Sequence, residues 1–201
     1  MTAKNDYVVL LHGLWRSARS MKKIEKTLSA NGYSVVNIDY PSKTETIENI
    51  SANCLKKILE EKCPDKNKKI NFVTHSMGGI VVRCFLANNK LENLGKVIMI
   101  APPNKGAKIA DLLCNFSIIK MIAGPALNQL TTSEQSLSIN RPVPGCEFGI
   151  IAGKYDKKVP PEFTKLPNMS DFLTVARTHT FIMNAKEVQV AVLNFLETGK
   201  F

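Results

Sequence analysis

The sequence predicts an α/β fold with a mostly parallel central sheet of about six strands and helices on both faces. Two observations support this class. Short apolar runs alternate along the chain with segments that carry apolar residues at helical spacing. The runs are also continuously apolar, which is typical of strands buried on both faces of a sheet. With 201 residues, 44% of them hydrophobic, the chain is predicted to form one domain over residues 1–201 with a sizeable core.

The predicted strands are six short apolar runs. They cover residues 7–11, 33–40, 69–74, 96–101, 148–153 and 171–176. Four segments have helical periodicity, and they cover residues 17–32, 45–62, 78–89 and 185–197. Gly32 is expected to end the first helix, and Pro41 closes the second strand. About 40 residues before the fifth strand contain no clear strand.

The formal net charge of +10 raises the question of a nucleic-acid partner. The basic residues are spread over segments such as "MKKIEK", "KKILEEKCPDKNKK" and "KYDKK", and aromatic residues make up only 7% of the chain. A nucleic-acid site needs cations on one face with aromatic side chains between them. We therefore expect no nucleic-acid partner, whereas weak peripheral contact with anionic lipid surfaces is consistent with the charge.

Neither the cysteines nor the apolar runs indicate a metal site or a membrane span. The five cysteines are irregularly spaced and form no CxxC pair, so reduced thiols are expected. No apolar run approaches the roughly 20 residues of a membrane span, and the first run, of about five residues, is shorter than the core of a secretory signal. A cytoplasmic location is the expectation, or a secreted or periplasmic one if a leader was removed.

The polar motifs of the chain follow the predicted strands. In parallel sheets the ligand site lies beyond the carboxyl ends of the strands. Five segments belong to that edge, namely "LHGLW", "THSMGG", "APPNKG", "GKYDKKV" and "RTHTF". The functional site is therefore predicted there.

The segment "THSMG" is the candidate for a strand-to-helix turn that presents a nucleophile, Ser76. Gly78 and Gly79 would allow the helix to cross close to the strand. Thr74 stands two residues before the serine, where only a small side chain fits. An ordinary turn into the next helix is the alternative interpretation.

A serine nucleophile needs a base and an acid that orients the base. The chain has three histidines, of which His12 lies in the first strand-end loop and His75 is adjacent to Ser76, so His179 is the predicted base. In this architecture the acid comes between serine and histidine. Asp156 directly follows the carboxyl end of a predicted strand and is the predicted acid.

Glu162 is the alternative acid, whereas Asp171 lies at the amino end of the last strand, on the wrong edge. Stabilisation of the developing oxyanion requires two backbone N–H groups. Met77, after the nucleophile, and Leu14, which follows Gly13, are the predicted donors. With three histidines and no ligand cluster, no metal and no cofactor is predicted.

Taken together, five segments resemble bacterial serine esterases and lipases of the α/β-hydrolase superfamily, and the length is that of a small member. The segments are "VVLLHGLW", "VTHSMGG", "IAPPNKGAKIADLL", "IAGKYDKKVP" and "HTFIMN". The resemblance runs from about Tyr7 to Leu196. It implies Ser76, Asp156 and His179 as a catalytic triad, and the "PPNKG" loop as a border of the site. The chain departs from the pattern at Thr74, where the family usually has glycine.

The resulting functional hypothesis is a serine hydrolase that cleaves acyl esters through an acyl-enzyme. A thioesterase or an acyltransferase would use the same triad, and a non-catalytic binding module is the rival from another class. The segment 114–145 is expected to contain a short lid. Its apolar residues Ile119 and Ile122 are predicted to form the substrate wall with Trp15, although one more core-covering helix is the alternative.

Overall fold

A computed structural model describes residues 5–115, 124–134 and 136–201. Its centre is one six-stranded sheet in the order β2-β1-β3-β4-β5-β6. The strands are β1 (Tyr7–Leu11), β2 (Ser34–Ile38), β3 (Ile70–His75), β4 (Leu94–Ile100), β5 (Phe148–Gly153) and β6 (Asp171–Val175). All neighbouring pairs are parallel, so the sheet predicted as mostly parallel is parallel throughout.

Helices connect the strands on both sides of the sheet. They are α1 (Lys22–Ala30), α2 (Ile47–Asn49), α3 (Lys56–Lys62), α4 (Met77–Asn88), α5 (Lys108–Cys114), α6 (Pro125–Asn128), α7 (Leu137–Asn140), α8 (Pro161–Thr164) and α9 (Lys186–Thr198). The π-helical turns Ile50–Leu55 join α2 to α3, so residues 47–62 form the continuous helix expected from the periodicity. The helix predicted at residues 17–32 is instead a 3₁₀ turn, Ala18–Met21, followed by α1.

The sheet separates two hydrophobic cores. Val8 and Leu10 point to the face covered by α1 and α9, while Val9 and Leu11 point to the face covered by residues 47–62 and α4. All four side chains are fully buried. Because successive residues of a strand face opposite sides, only a continuous apolar run can fill both cores. This is the physical reason for the pattern in the sequence.

The connection between β4 and β5 has a different character. Its described residues form the short helices α5, α6 and α7, and these described residues include no sheet strand. The lid expected within residues 114–145 falls on this connection. Across the described ranges, no helix is long and apolar enough to cross a bilayer.

Candidate active site

Ser76 occupies the turn between β3 and α4 at the carboxyl edge of the sheet. Its backbone has φ 54° and ψ −123°, a conformation that non-glycine residues rarely adopt. Two hydrogen bonds hold it there: Ser76 N donates to the carbonyl of Ile100 at 2.9 Å, and Gly79 N donates to the carbonyl of Ser76 at 3.0 Å. The strained turn raises the hydroxyl above the sheet edge, as the motif predicts.

The small residues around Ser76 allow α4 to pass close to β1. A Cβ atom on Gly78 would lie 2.8 Å from the carbonyl oxygen of Leu11 and 2.9 Å from that of His12. On the other side, Thr74 is fully buried, and its Oγ1 would lie 3.3 Å from a Cβ on Gly79. Threonine is therefore accommodated two residues before the serine because its neighbour across the turn is a glycine.

The structure joins the side chains of Ser76, His179 and Asp156 in one hydrogen-bonded chain. His179 Nε2 lies 3.0 Å from Ser76 Oγ, and His179 Nδ1 lies 2.6 Å from Asp156 Oδ2. The other carboxylate oxygen of buried Asp156 accepts N–H groups of Lys158 and Val159, both at 2.9 Å.

A carboxylate only accepts hydrogen bonds, so Nδ1 of His179 carries the proton and Nε2 is left to accept from the serine hydroxyl. The alternative acid, Glu162, lies in α8 and takes no part in this chain of hydrogen bonds.

The two predicted oxyanion donors flank Ser76. Met77 is the first residue of α4, and a first-turn N–H has no partner within its helix. A Cβ atom on Gly13 would lie 3.1 Å from Ser76 Cβ, so the loop that carries Leu14 passes directly beside Ser76. Trp15 follows with φ 58°, which turns the loop sharply.

A buried pair of aromatic rings supports this loop from below. The rings of His12 and Tyr40 stack with centroids 4.0 Å apart, and the Tyr40 hydroxyl donates to the carbonyl of His12. Nε2 of His12 lies 3.2 Å from Asp39 Oδ1. Burial lowers the pKa of His12 and raises the pKa of Tyr40. The sequence shows no sign of the contribution of Tyr40, because the contact joins the ends of two different strands.

His75 also has a role that its sequence position does not reveal. Its ring is tilted against that of His179, with 5.0 Å between centroids, and its Nε2–H donates to the backbone carbonyl of His179 at 3.1 Å. Burial, helped by the neighbouring His179, lowers the pKa of His75 well below its ordinary value. A neutral His75 therefore anchors the backbone of His179.

A cleft of about 370 Å³ opens above Ser76. The apolar residues of its wall are Leu14, Trp15, Ala107, Ile109, Ala110, Leu113, Leu127, Leu130 and Val159. Pro103 of the "PPNKG" loop borders it as well. Trp15, one of the predicted wall residues, lines this cleft, whereas Ile119 and Ile122 are outside the described residues. The described part of the wall comes mainly from α5 and the region of α6.

Arg83 joins α4, the helix that follows Ser76, to the connection between β4 and β5. This α4 side chain is buried, and its guanidinium donates to Asn104 Oδ1 at 3.0 Å and to the carbonyls of Ser138 at 2.8 Å, Pro142 at 3.2 Å and Arg141. Burial, with a smaller effect of Arg141, lowers its pKa to about 10. All four acceptors are neutral oxygens. The sequence indicates only an arginine within an apolar helix.

The parallel sheet with a serine on the β3–α4 turn is the α/β-hydrolase fold predicted from the motifs. Residues 1–141 match the family described as "Putative serine esterase (DUF676)", and the chain belongs to this family. It is similar to "Triacylglycerol lipase 2" of Saccharomyces cerevisiae, with 26% identity over 121 residues. That match covers 58% of this chain and 35% of the yeast protein, so the chain spans about a third of that relative.

Solved structures of the same fold include a bacterial lipase and a bacterial phospholipase. Bacillus licheniformis lipase BlEst2 in mature form superimposes with a TM-score of 0.79 at 19% identity, covering 100% of this chain and 94% of that one. Phospholipase PlaB from Legionella pneumophila superimposes with a TM-score of 0.76 at 15% identity, covering 98% and 59% respectively. At these identities the comparison establishes the fold, and the substrate has to be argued from the site.

Proposed function

We propose that this protein hydrolyses carboxylic esters of acyl chains, with Ser76 as nucleophile, His179 as general base and acid, and Asp156 as the residue that orients His179. The main support is the series of hydrogen bonds from Ser76 Oγ through His179 to Asp156, at 3.0 and 2.6 Å. Membership in a serine esterase family supports the same chemistry.

In the acylation half of the reaction, Ser76 Oγ attacks the ester carbonyl carbon while its proton passes to His179 Nε2. The carbonyl oxygen becomes an oxyanion, which the backbone N–H groups of Leu14 and Met77 stabilise. The bond to the alcohol oxygen then breaks, and His179 returns the proton to that oxygen. The alcohol departs and the acyl group remains on Ser76.

In the second half, a water molecule takes the place of the alcohol. His179 Nε2 accepts a proton from the water as its oxygen attacks the acyl carbon. The bond to Ser76 Oγ breaks, and the serine regains its proton from His179. The products are a carboxylic acid, an alcohol and the free enzyme.

The cleft supports an acyl chain as the apolar part of the substrate. Its wall carries aliphatic side chains from α5 and from Leu127 and Leu130, next to Ser76. Each buried CH₂ group of a bound chain contributes about 0.8 kcal/mol. The lipase name of the yeast relative agrees with a lipid ester.

The decisive experiment combines labelling by a fluorophosphonate probe with turnover of p-nitrophenyl esters of increasing chain length. We expect Ser76→Ala to abolish labelling and to reduce turnover roughly 10⁶-fold, by analogy with other serine triads. Ser29→Ala, at an exposed position in α1, is the matched control and should behave as wild type. Labelling of Ser76→Ala at a single site would contradict the assignment of the nucleophile.

The same assay tests the acid. Asp156→Asn should keep the loop geometry but favour the wrong imidazole tautomer, which lowers kcat on the order of 10⁴-fold. Glu162→Gln should retain wild-type turnover. The reverse result, an active Asp156→Asn and an inactive Glu162→Gln, would move the acid to α8.

A further inference from the structure

A second surface cavity adjoins the cleft above Ser76. The two cavities share Trp15, Arg16 and Thr180 in their linings, and the second has a volume of about 520 Å³. A substrate bound at Ser76 that extends past these three residues would enter this second cavity. The charges of the side chains that line the two cavities determine which chemical groups of a substrate would bind there.

Four basic side chains line the groove that these two cavities form. Arg16 and Lys158 border the catalytic cleft, and Arg16, Arg19 and Lys43 border the adjoining cavity. Among the described residues, no aspartate or glutamate lines either cavity.

Two other surface cavities combine both signs of charge. One is lined by Lys90 together with Glu92, and the other by Lys96 together with Glu147. A further cavity is lined by Arg177 and Lys186 and by no acidic residue among those described, but Arg177 there pairs with Glu187 at 2.7 Å. Basic side chains without acidic neighbours therefore line some of the surface cavities and not all of them.

The two cations nearest the nucleophile are held by neutral groups. Lys158 Nζ donates to Thr180 Oγ1 at 3.3 Å, and the guanidinium carbon of Arg16 lies 5.8 Å from the ring centroid of Phe181. In the part of the chain that the structure describes, no carboxylate lies within ion-pair distance of either. Both side chains are exposed, so their charges are available to a ligand.

Their partners identify the half of the ester that they face. Thr180 and Phe181 directly follow His179, whose Nε2 must deliver a proton to the leaving alcohol oxygen. The alcohol half of the ester therefore lies beside His179. Most of the aliphatic wall for the acyl half comes from other elements, α5 and residues 124–130, although Leu14 and Val159 also contribute to it.

We propose that the preferred substrates are acyl esters whose alcohol half carries a phosphate group, as in the headgroup of a phospholipid or lysophospholipid. This inference rests on the proposed ester hydrolysis. Arg16 would bind two phosphate oxygens with its planar guanidinium, and Lys158 would act as a point charge on the same group. Arg19 and Lys43 extend the positive field along the groove, so they would raise the rate of encounter with an anion.

The test compares two esters with the same acyl chain, 1-octanoylglycerol and 1-octanoylglycerol 3-phosphate, both below the concentration at which they aggregate. The readout is the ratio of kcat/KM for the phosphorylated ester to that for the neutral ester. We expect a ratio of about 10 or more in the wild type, which falls as salt is raised because exposed charges are screened.

Arg16→Gln and Lys158→Gln should each lower this ratio about threefold, and the double variant should bring it close to one. Lys66→Gln and Lys90→Gln remove the same charge from an exposed position on a different surface cavity and should leave the ratio unchanged. A ratio near one in the wild type, or the same loss in the control variants, would overturn the inference.

A second experiment distinguishes recognition of a phosphate on the substrate from general attraction of the protein to an anionic membrane. The neutral ester is presented in vesicles of neutral lipid and in vesicles with added anionic lipid. If anionic vesicles raise turnover while the two monomeric esters are cleaved equally, the cations dock the protein on a surface and the headgroup assignment is wrong. If neither ester is cleaved and Ser76 does not react with the probe, the proposed hydrolase function fails and the inference fails with it.

Discussion

Two regions around the cleft are built in different ways. Residues 70–88, which comprise β3, Ser76 and α4, are regular elements, and nine of the α4 residues, from Met77 to Phe85, are buried. The connection between β4 and β5 contains, where described, helices of only four to seven residues joined by turns and loops.

The first region is held by sheet pairing and close packing. The second packs Ala107, Ala110 and Leu127 into the same core as β3 and α4, and side-chain hydrogen bonds to distant elements add to that packing.

Gln129 illustrates how the second region is held. Its Oε1 accepts the N–H of Ile47 at 2.7 Å, and its Nε2 donates to Glu48. Its backbone carbonyl accepts the hydroxyl groups of Ser136 and Ser138, at 2.8 and 3.2 Å. The difference between the regions indicates a division of tasks: the proposed nucleophile sits on a rigid turn, and the proposed substrate wall sits on short helices that apolar packing and a few polar contacts hold in place.

The largest difference between the two regions should appear when a methyl group is added. Gly78→Ala places a Cβ atom 2.8 and 2.9 Å from backbone oxygens that cannot move away, and should destabilise the protein by about 3 kcal/mol. Gly145→Ala, in the β4–β5 connection, meets nothing within 4 Å and is the matched control. Urea unfolding measures both. Equal stabilities would mean that the turn is as adaptable as the connection.

An intermediate loss of stability is expected at Arg83, whose side chain joins α4 to the connection between β4 and β5. Arg83→Met removes the donors to Asn104 and to three carbonyls, and should cost about 2 kcal/mol because these oxygens lose their partners. Arg177→Met, which breaks one exposed ion pair with Glu187, should cost much less, because water screens an exposed pair.

Hydrogen exchange locates the effect of Arg83→Met. We expect faster exchange in residues 136–142, whereas exchange in α4 itself should change little. Loss of protection throughout the chain would show that the connection is as integral to the fold as α4 is.

The smallest expected effect is a change in the pH dependence of folding stability, which involves His75. The pKa of His75 is depressed by burial, so the unfolded chain binds a proton below about pH 6.5 that the folded protein does not. Stability is therefore complete above that pH and falls as the pH decreases. Between pH 7 and 5.5 the wild type should lose about 1 kcal/mol more than His75→Gln.

Thermal melts over this range measure the two slopes. His12, whose pKa is also lowered, contributes a loss of the same sign and is present in both proteins. Parallel slopes for wild type and His75→Gln would show that His75 takes up a proton without cost, which would contradict its role as a neutral anchor of His179.

Much of the fold follows from local signals. The six strands were predicted within two residues at most of their ends, because continuous apolar runs bounded by turn residues have few other structures available. The split at Met21 and the π-helical turns at residues 50–55 were not predicted, since the periodicity of apolar residues is nearly the same in all these helix types.

For the site, chain order and the position of each motif at a strand end selected Ser76, Asp156 and His179 from the sequence. The structure then places His179 within hydrogen-bonding distance of both Ser76 and Asp156. Their catalytic roles, and those of Leu14 and Met77, remain predictions for the variants above. The predicted wall residues Ile119 and Ile122 are outside the described residues, so that part of the wall stays a prediction.

The sequence by itself determined the fold class, the edge of the sheet at which the site forms, and the serine turn, because these depend on periodicity and on residues adjacent in the chain. Only the tertiary structure decided which groups support them. The bond from His75 spans 104 residues to His179, and those from Arg83 span 21 to 59 residues. Such pairs leave no periodic signal, because the partner of a buried polar group is set by the packing of elements that are distant in the chain.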